Sequence, residues 1–243
     1  MKIKCVFFGI DDVLYDASLQ LSTARLNAIK AMIEAGLPTD LETTYRTLEN
    51  VVKECGSDYN KHFDTLLEKL GLKWNPQVIA AGVAAYRETS SAYLKPYAET
   101  FPTLLKLREA GYKVGIVSEG RAVKQWQKLI QLGIQHLFDG VITPEEIDAQ
   151  VMKTELFKSI LKTFKVEPKE TIFIGNKLET DILYANKAKI ISVRIRKGEH
   201  RTDEPKSIET TPNYEMNRLS EVFKILGKIE KKRLLQRPRG KKP

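Results

Sequence analysis

The chain has 243 residues, 42% of them hydrophobic and 29% charged, which suits an ordinary soluble globular protein with a sizeable core. No apolar run approaches the ~20 residues of a membrane span, and Met1-Lys2-Ile3-Lys4 leads straight into a strand pattern with no room for a signal peptide. A cytoplasmic protein with no membrane partner is therefore expected. The formal charge of +9 is uneven, because +7 of it lies in residues 220–243, where nine Lys and Arg meet two Glu.

The first element is Lys4-Cys5-Val6-Phe7-Phe8-Gly9-Ile10-Asp11-Asp12, an apolar run without alternation that ends in two acids. Such runs suit strands covered on both faces in a parallel sheet, and those sheets place ligands just beyond the strand carboxyl ends. Helical spacing then takes over. Leu26, Ile29 and Ile33 form a stripe closed by Gly36 and Pro38, and Leu41–Cys55 reads as a second helix stopped at Gly56. His62, Phe63, Leu66, Leu67 and Leu70 mark a third, and a fourth starts at Pro76 and runs towards Leu94. Four helices with no strand between them read as an inserted bundle. His62 reads as a structural histidine, and Cys5 and Cys55, without metal spacing, as packing thiols.

From Pro96 strand and helix alternate, the pattern of βαβ units around a parallel sheet. Strands are expected at 112–117, 141–142, 171–174 and 190–193, with helices between them, and residues 198–212 read as loop. Leu219, Val222, Phe223, Leu226 and Ile229 make a last amphipathic stripe, so the basic segment begins on a docked helix. The domain reading is an α/β core over 1–16 and 97–230, a helical cap over 17–96, and a basic tail over 231–243. The tail, with Lys231, Lys232, Arg233, Arg237, Arg239, Lys241 and Lys242, reads either as a surface for an acidic partner or as a solubilising end.

Three strand ends converge on one sheet edge: Gly9-Ile10-Asp11-Asp12, Ser118-Glu119-Gly120, and Gly175-Asn176 with Asp181 a turn later. Hydroxyls and amides at helix starts suit phosphate, and carboxylates suit Mg²⁺. In these motifs the chain resembles the haloacid dehalogenase-like superfamily, most closely its archaeal phosphatases of the glyceraldehyde-3-phosphate phosphatase kind. The resemblance implies a Rossmann-like three-layer core with an inserted all-α cap. It also implies a nucleophilic Asp where this chain has Gly9, an acid/base at Asp11, phosphate binding by Ser118, Glu119 and Gly120, and Mg²⁺ at Asp11, Asn176 and Asp181. The family's metal acid is replaced by Asn176. Its phosphate-steadying lysine falls at Val151, and Lys153, two places later, serves only if the loop re-registers. Asp12 reads as structural, turned away from phosphate.

These departures give the leading expectation: a catalytically impaired pseudo-phosphatase with a degraded Mg²⁺ site, its basic helix and tail engaging RNA, DNA or a ribonucleoprotein. A protein partner is a further expectation. The alternative is a Mg²⁺-dependent phosphatase of small phosphate esters that uses Asp11, Asp12 or water directly.

Overall fold

Cys5–Phe8 forms β1 with every residue buried, as a run without alternation requires. The computed structural model describes residues 2–57, 59–146 and 153–235. After β1 come four helices, α1 (Ala17–Glu34), α2 (Leu41–Cys55), α3 (His62–Lys69) and α4 (Pro76–Tyr93). There follow α5 (Thr100–Glu109), β2 (Lys113–Val117), α6 (Ala122–Gln131), β3 (Gly140–Ile142), α7 (Lys153–Phe164) and β4 (Thr171–Gly175). The chain continues with α8 (Leu183–Lys187), β5 (Ile191–Ile195), β6 (Tyr214–Met216) and α9 (Val222–Leu235).

The strands make one parallel sheet in the order β3-β2-β1-β4-β5-β6. Phe8 pairs with Ile116 on β2 and with Ile174 on β4, so the residues after these three strands emerge side by side. The order reverses at β1, the switch point where such sheets open a crevice. Cys5, Phe7 and Phe173 pack with Phe157, Ile160 and Phe164 on one face. Val6, Phe8, Ile172 and Ile174 are equally buried, and by the two-residue pleat they point to the other face. The sheet is thus covered on both sides, as the expected three-layer core requires.

The contacts divide the chain into two units, Met1–Asp16 with everything from Lys95 onward, and Ala17–Leu94. The expected cap edge at residue 96 lies just past the observed Leu94. Within the helical unit, Ile29, Met32, Leu48, Leu66, Leu67 and Val78 form its own core. Its helix starts follow the sequence: Asp40 accepts from the Thr43 N–H at 2.8 Å, and Asn75 accepts from Gln77 and Val78 ahead of Pro76. His62 donates from Nε2 to the Gly56 carbonyl at 2.9 Å, which is the structural role expected.

Two readings change. The stretch after residue 212 contains β6, paired with β5 from Val193 to Ile195, where only a loop and a helix were expected. Cys55 is exposed, not packed, while Cys5 is buried and desolvation pushes its thiol up to about 11. Helix α9 runs to Leu235, as the amphipathic stripe leads one to expect, docked through Val222, Ile225, Leu226 and Ile229. No helix among the described residues is long and apolar enough to cross a membrane.

Candidate active site

Beyond β1 the chain turns tightly. The N–H groups of Val13 and Leu14 both donate to the Ile10 carbonyl, and Asp12 takes φ = 56°. That turn sends two consecutive acids in different directions. Asp12 is 4% exposed and lies against Gly198, where an added Cβ would come 2.2 Å from the Asp12 carboxyl. Gly198 also has φ = +66°, so glycine is required there twice over, and Asp12 is structural as expected.

The Asp11 side chain is 43% exposed and is held from two sides. The Tyr15 hydroxyl donates to its Oδ1 at 2.7 Å, and the Lys128 ammonium reaches Oδ1 at 2.7 Å and Oδ2 at 2.9 Å. Tyr15 is itself buried. Lys128 rides on α6, the helix that starts just after Ser118-Glu119-Gly120, and its side chain is 27% exposed. An ion pair so open to water contributes about 0–1 kcal/mol to stability. Its consequence is a fixed cation beside the exposed Asp11 carboxylate at the end of β1. Sequence reading missed Lys128, because a lysine in the last turn of a helix has the pattern of a solvated charge.

Gly9 is different from Gly198. An added Cβ would meet only Val13 Cγ2 at 3.5 Å, the Ile174 carbonyl at 3.8 Å and Asp181 Oδ2 at 4.0 Å, all ordinary contacts. Neither backbone nor packing demands glycine at this position, and its lack of a side chain leaves space at the strand end.

At the end of β4, Asp181 Oδ2 accepts from the N–H groups of Asn176 at 2.9 Å and Lys177 at 3.1 Å. Gly175 makes this possible, since a Cβ there would lie 2.5 Å from Asp181. Desolvation pushes the Asp181 carboxyl above its usual range against the pull of the Lys177 N–H, and the charge of Glu119 adds to the rise. Asn176 is 2% exposed, and its Nδ2 is a buried donor with no partner among the described residues. At the end of β2, Ser118 is half-buried and its N–H donates to the Ile142 carbonyl at 3.1 Å. The first amide of α6 is not open to phosphate, because Ala122 N–H donates to Glu145 at 2.9 Å.

The structure therefore brings Gly9, Asp11, Ser118, Asn176 and Asp181 to one edge of the sheet and adds Lys128 and Tyr15. Val151 lies outside the described residues, and Lys153 is the first residue of α7. These residues do not fit Mg²⁺. The ammonium holds both oxygens of Asp11, two amides take Asp181 Oδ2, and Asn176 brings a neutral amide with an unpartnered Nδ2 in place of a carboxylate. Among the described residues no three His, Cys, Asp or Glu side chains group to hold a metal.

Of the basic residues near the carboxyl terminus, Lys231 and Lys232 are exposed on α9, and Arg233 donates to the Lys169 carbonyl. Arg237, Arg239, Lys241 and Lys242 lie outside the described residues. The Arg194-Ile195-Arg196-Lys197 run is not a free basic edge. Arg194 is fully buried and pairs with Glu215, Arg196 pairs with Glu204 and Glu215, and Lys197 with Glu99.

Comparison with known proteins agrees with this architecture. Residues 6–195 match the haloacid dehalogenase-like hydrolase family. The chain is 45% identical to the glyceraldehyde 3-phosphate phosphatase of Methanopyrus kandleri, over 94% of this chain and 99% of that protein. Against the protein of the same name from Methanocaldococcus jannaschii it is 38% identical, over 94% and 99%. The solved structure of a HAD phosphatase from Thermococcus onnurineus superposes with a TM-score of 0.62 at 26% identity, covering 92% of this chain and 98% of that one. These likenesses overturn the expectation of a pseudo-phosphatase kept for binding RNA, DNA or a ribonucleoprotein, because the proteins this chain matches from end to end are named as phosphatases. That expectation rested on Gly9, Val151 and Asn176 as departures from the family pattern, while the exposed carboxylate of Asp11 remains held by Tyr15 and Lys128. The chain belongs to the haloacid dehalogenase-like hydrolase family.

Proposed function

We propose that the protein is a phosphatase of a small phosphate monoester of the glyceraldehyde 3-phosphate kind. The observation that carries this reading is the 45% identity to a phosphatase of that name along nearly the whole of both chains. With glycine at position 9 there is no carboxylate to attack phosphorus from that strand end, and the attacking group is water. The water oxygen bonds to phosphorus as the ester P–O bond breaks, and its proton passes to Asp11 and from there to the leaving alkoxide. Three features support Asp11 in this role: its exposure, its orientation by Tyr15 and Lys128, and the open space at Gly9. Ser118 and Gly120 receive the phosphate oxygens.

The test is phosphate release from glyceraldehyde 3-phosphate and other small esters by the purified full chain. Asp11→Asn is expected to slow it about 10²–10⁴-fold, the usual worth of a positioned general base. No release by the wild type, or equal release by the variant, refutes the reading.

A further inference from the structure

Two acids that the family pattern would place at this strand edge are missing from this chain. Position 9 has no side chain, and position 176 offers an amide in place of a carboxylate. The Asn176 Nδ2 is buried and unpartnered among the described residues. A buried donor without a partner is costly, and an anion's oxygen is the kind of group that relieves it, whereas a cation is not. At Asp11, the acid that remains, stands a fixed positive charge. Lys128 Nζ lies 2.7 and 2.9 Å from the two Asp11 oxygens. An ammonium has three donors, and two contacts to Asp11 leave one for a further acceptor.

We propose that the Lys128 ammonium supplies the positive charge of this site in place of a divalent cation, so that phosphate binds here without a metal. The inference rests on the phosphatase reading only in taking a phosphate group as the ligand. The Lys128 stem is mostly covered and its head is fixed on Asp11, so the charge is positioned before a ligand arrives. Asp11 then has two tasks, since it orients the ammonium and competes with phosphate for it. A lysine that merely braced Asp11 would have no such coupling to an anion.

The test is the affinity of the full chain for inorganic phosphate, measured by titration calorimetry in EDTA and again in Mg²⁺. The wild type is expected to bind equally in both. Lys128→Met should weaken binding at least about tenfold in both, as loss of a charge-assisted hydrogen bond implies. Lys128→Arg keeps the charge and should remain within about threefold. Asp11→Asn, which removes the competing carboxylate, should bind phosphate at least as tightly as the wild type, and thermal unfolding of each variant checks that it is folded. Binding that requires Mg²⁺, binding unchanged in Lys128→Met, or no binding at about 10 mM phosphate overturns the proposal. Ester hydrolysis assayed in parallel separates the two readings. Lys128-dependent phosphate binding without hydrolysis sinks the phosphatase and leaves this inference standing. Hydrolysis that needs Mg²⁺ and ignores Lys128 does the reverse.

Discussion

Replacing Gly9 by Asp puts a carboxylate where the strand end now has space. The added Cβ starts 4.0 Å from Asp181 Oδ2 and meets nothing closer than 3.5 Å, so the variant folds without steric conflict. Its cost is electrostatic. A carboxylate built on that Cβ comes within roughly 4–6 Å of Asp181, where an effective dielectric constant of ~20 gives a repulsion of ~3–4 kcal/mol, and the pair escapes by keeping one proton. Desolvation already pushes Asp181 up, so the shared proton is retained well above the ordinary carboxylate range. The sign follows from linkage: the folded state then binds a proton that the unfolded chain has released, and stability falls as pH rises above the unfolded pKa. Gly9→Asp should therefore match the wild type near pH 4 and be about 2–4 kcal/mol less stable at pH 7.5. Gly9→Ala, free of charge and strain, should gain up to about 1 kcal/mol at both pH values. Urea denaturation at the two pH values measures this. The paired acids also create a seat for a hard cation, so millimolar Mg²⁺ should stabilise Gly9→Asp at pH 7.5 and leave the wild type unmoved. Equal stability of Gly9→Asp and wild type at pH 7.5, or an equal loss at both pH values, refutes the account of this strand end.

Two further predictions concern the frame around the site. Gly198→Ala must adopt φ = +66° and push a Cβ to 2.2 Å from the buried Asp12 carboxyl, at a combined cost of about 2–4 kcal/mol. A fall in the thermal midpoint of less than about 2 °C would show that Asp12 does not pack there. Desolvation pushes the Glu99 carboxyl up, but the Leu219 N–H at 2.9 Å, the Lys197 ammonium at 3.0 Å and Ser220 outweigh it and hold the carboxyl below its ordinary range. A depressed carboxylate stabilises the fold above its unfolded pKa, and that contribution is lost as pH falls through the folded value. Glu99→Gln should thus cost about 1–2 kcal/mol at pH 7 and much less near pH 3, and a loss independent of pH in denaturant titrations would contradict the assignment.

The frame was legible in the sequence where local chemistry decides it. Cys5–Phe8 lacks alternation because both faces of β1 are covered, and Gly and Pro punctuate the helical unit where its helices end. The tight turn after Ile10 explains why Asp11 and Asp12, adjacent in sequence, divide into an outward and a buried acid. What could not be read depends on distant partners. Lys128 becomes part of the site only when α6 brings it across to a residue at the end of β1. The Arg194–Glu215 and Lys197–Glu99 pairs join different elements, so the charges of Arg194 and Lys197 are neutralised internally. Strand β6 is three residues at a sheet edge, too short to impose a period. The functional expectation failed for a related reason: missing residues were visible one by one, while the arrangement that retains an acid, a cation and space at one strand end was not.

The most direct measurement is phosphate release from glyceraldehyde 3-phosphate by wild type and Asp11→Asn, followed in EDTA. Release by the wild type that falls about 10²–10⁴-fold in the variant is the predicted result. Absence of release from any small phosphate ester, or release that does not depend on Asp11, would contradict the account.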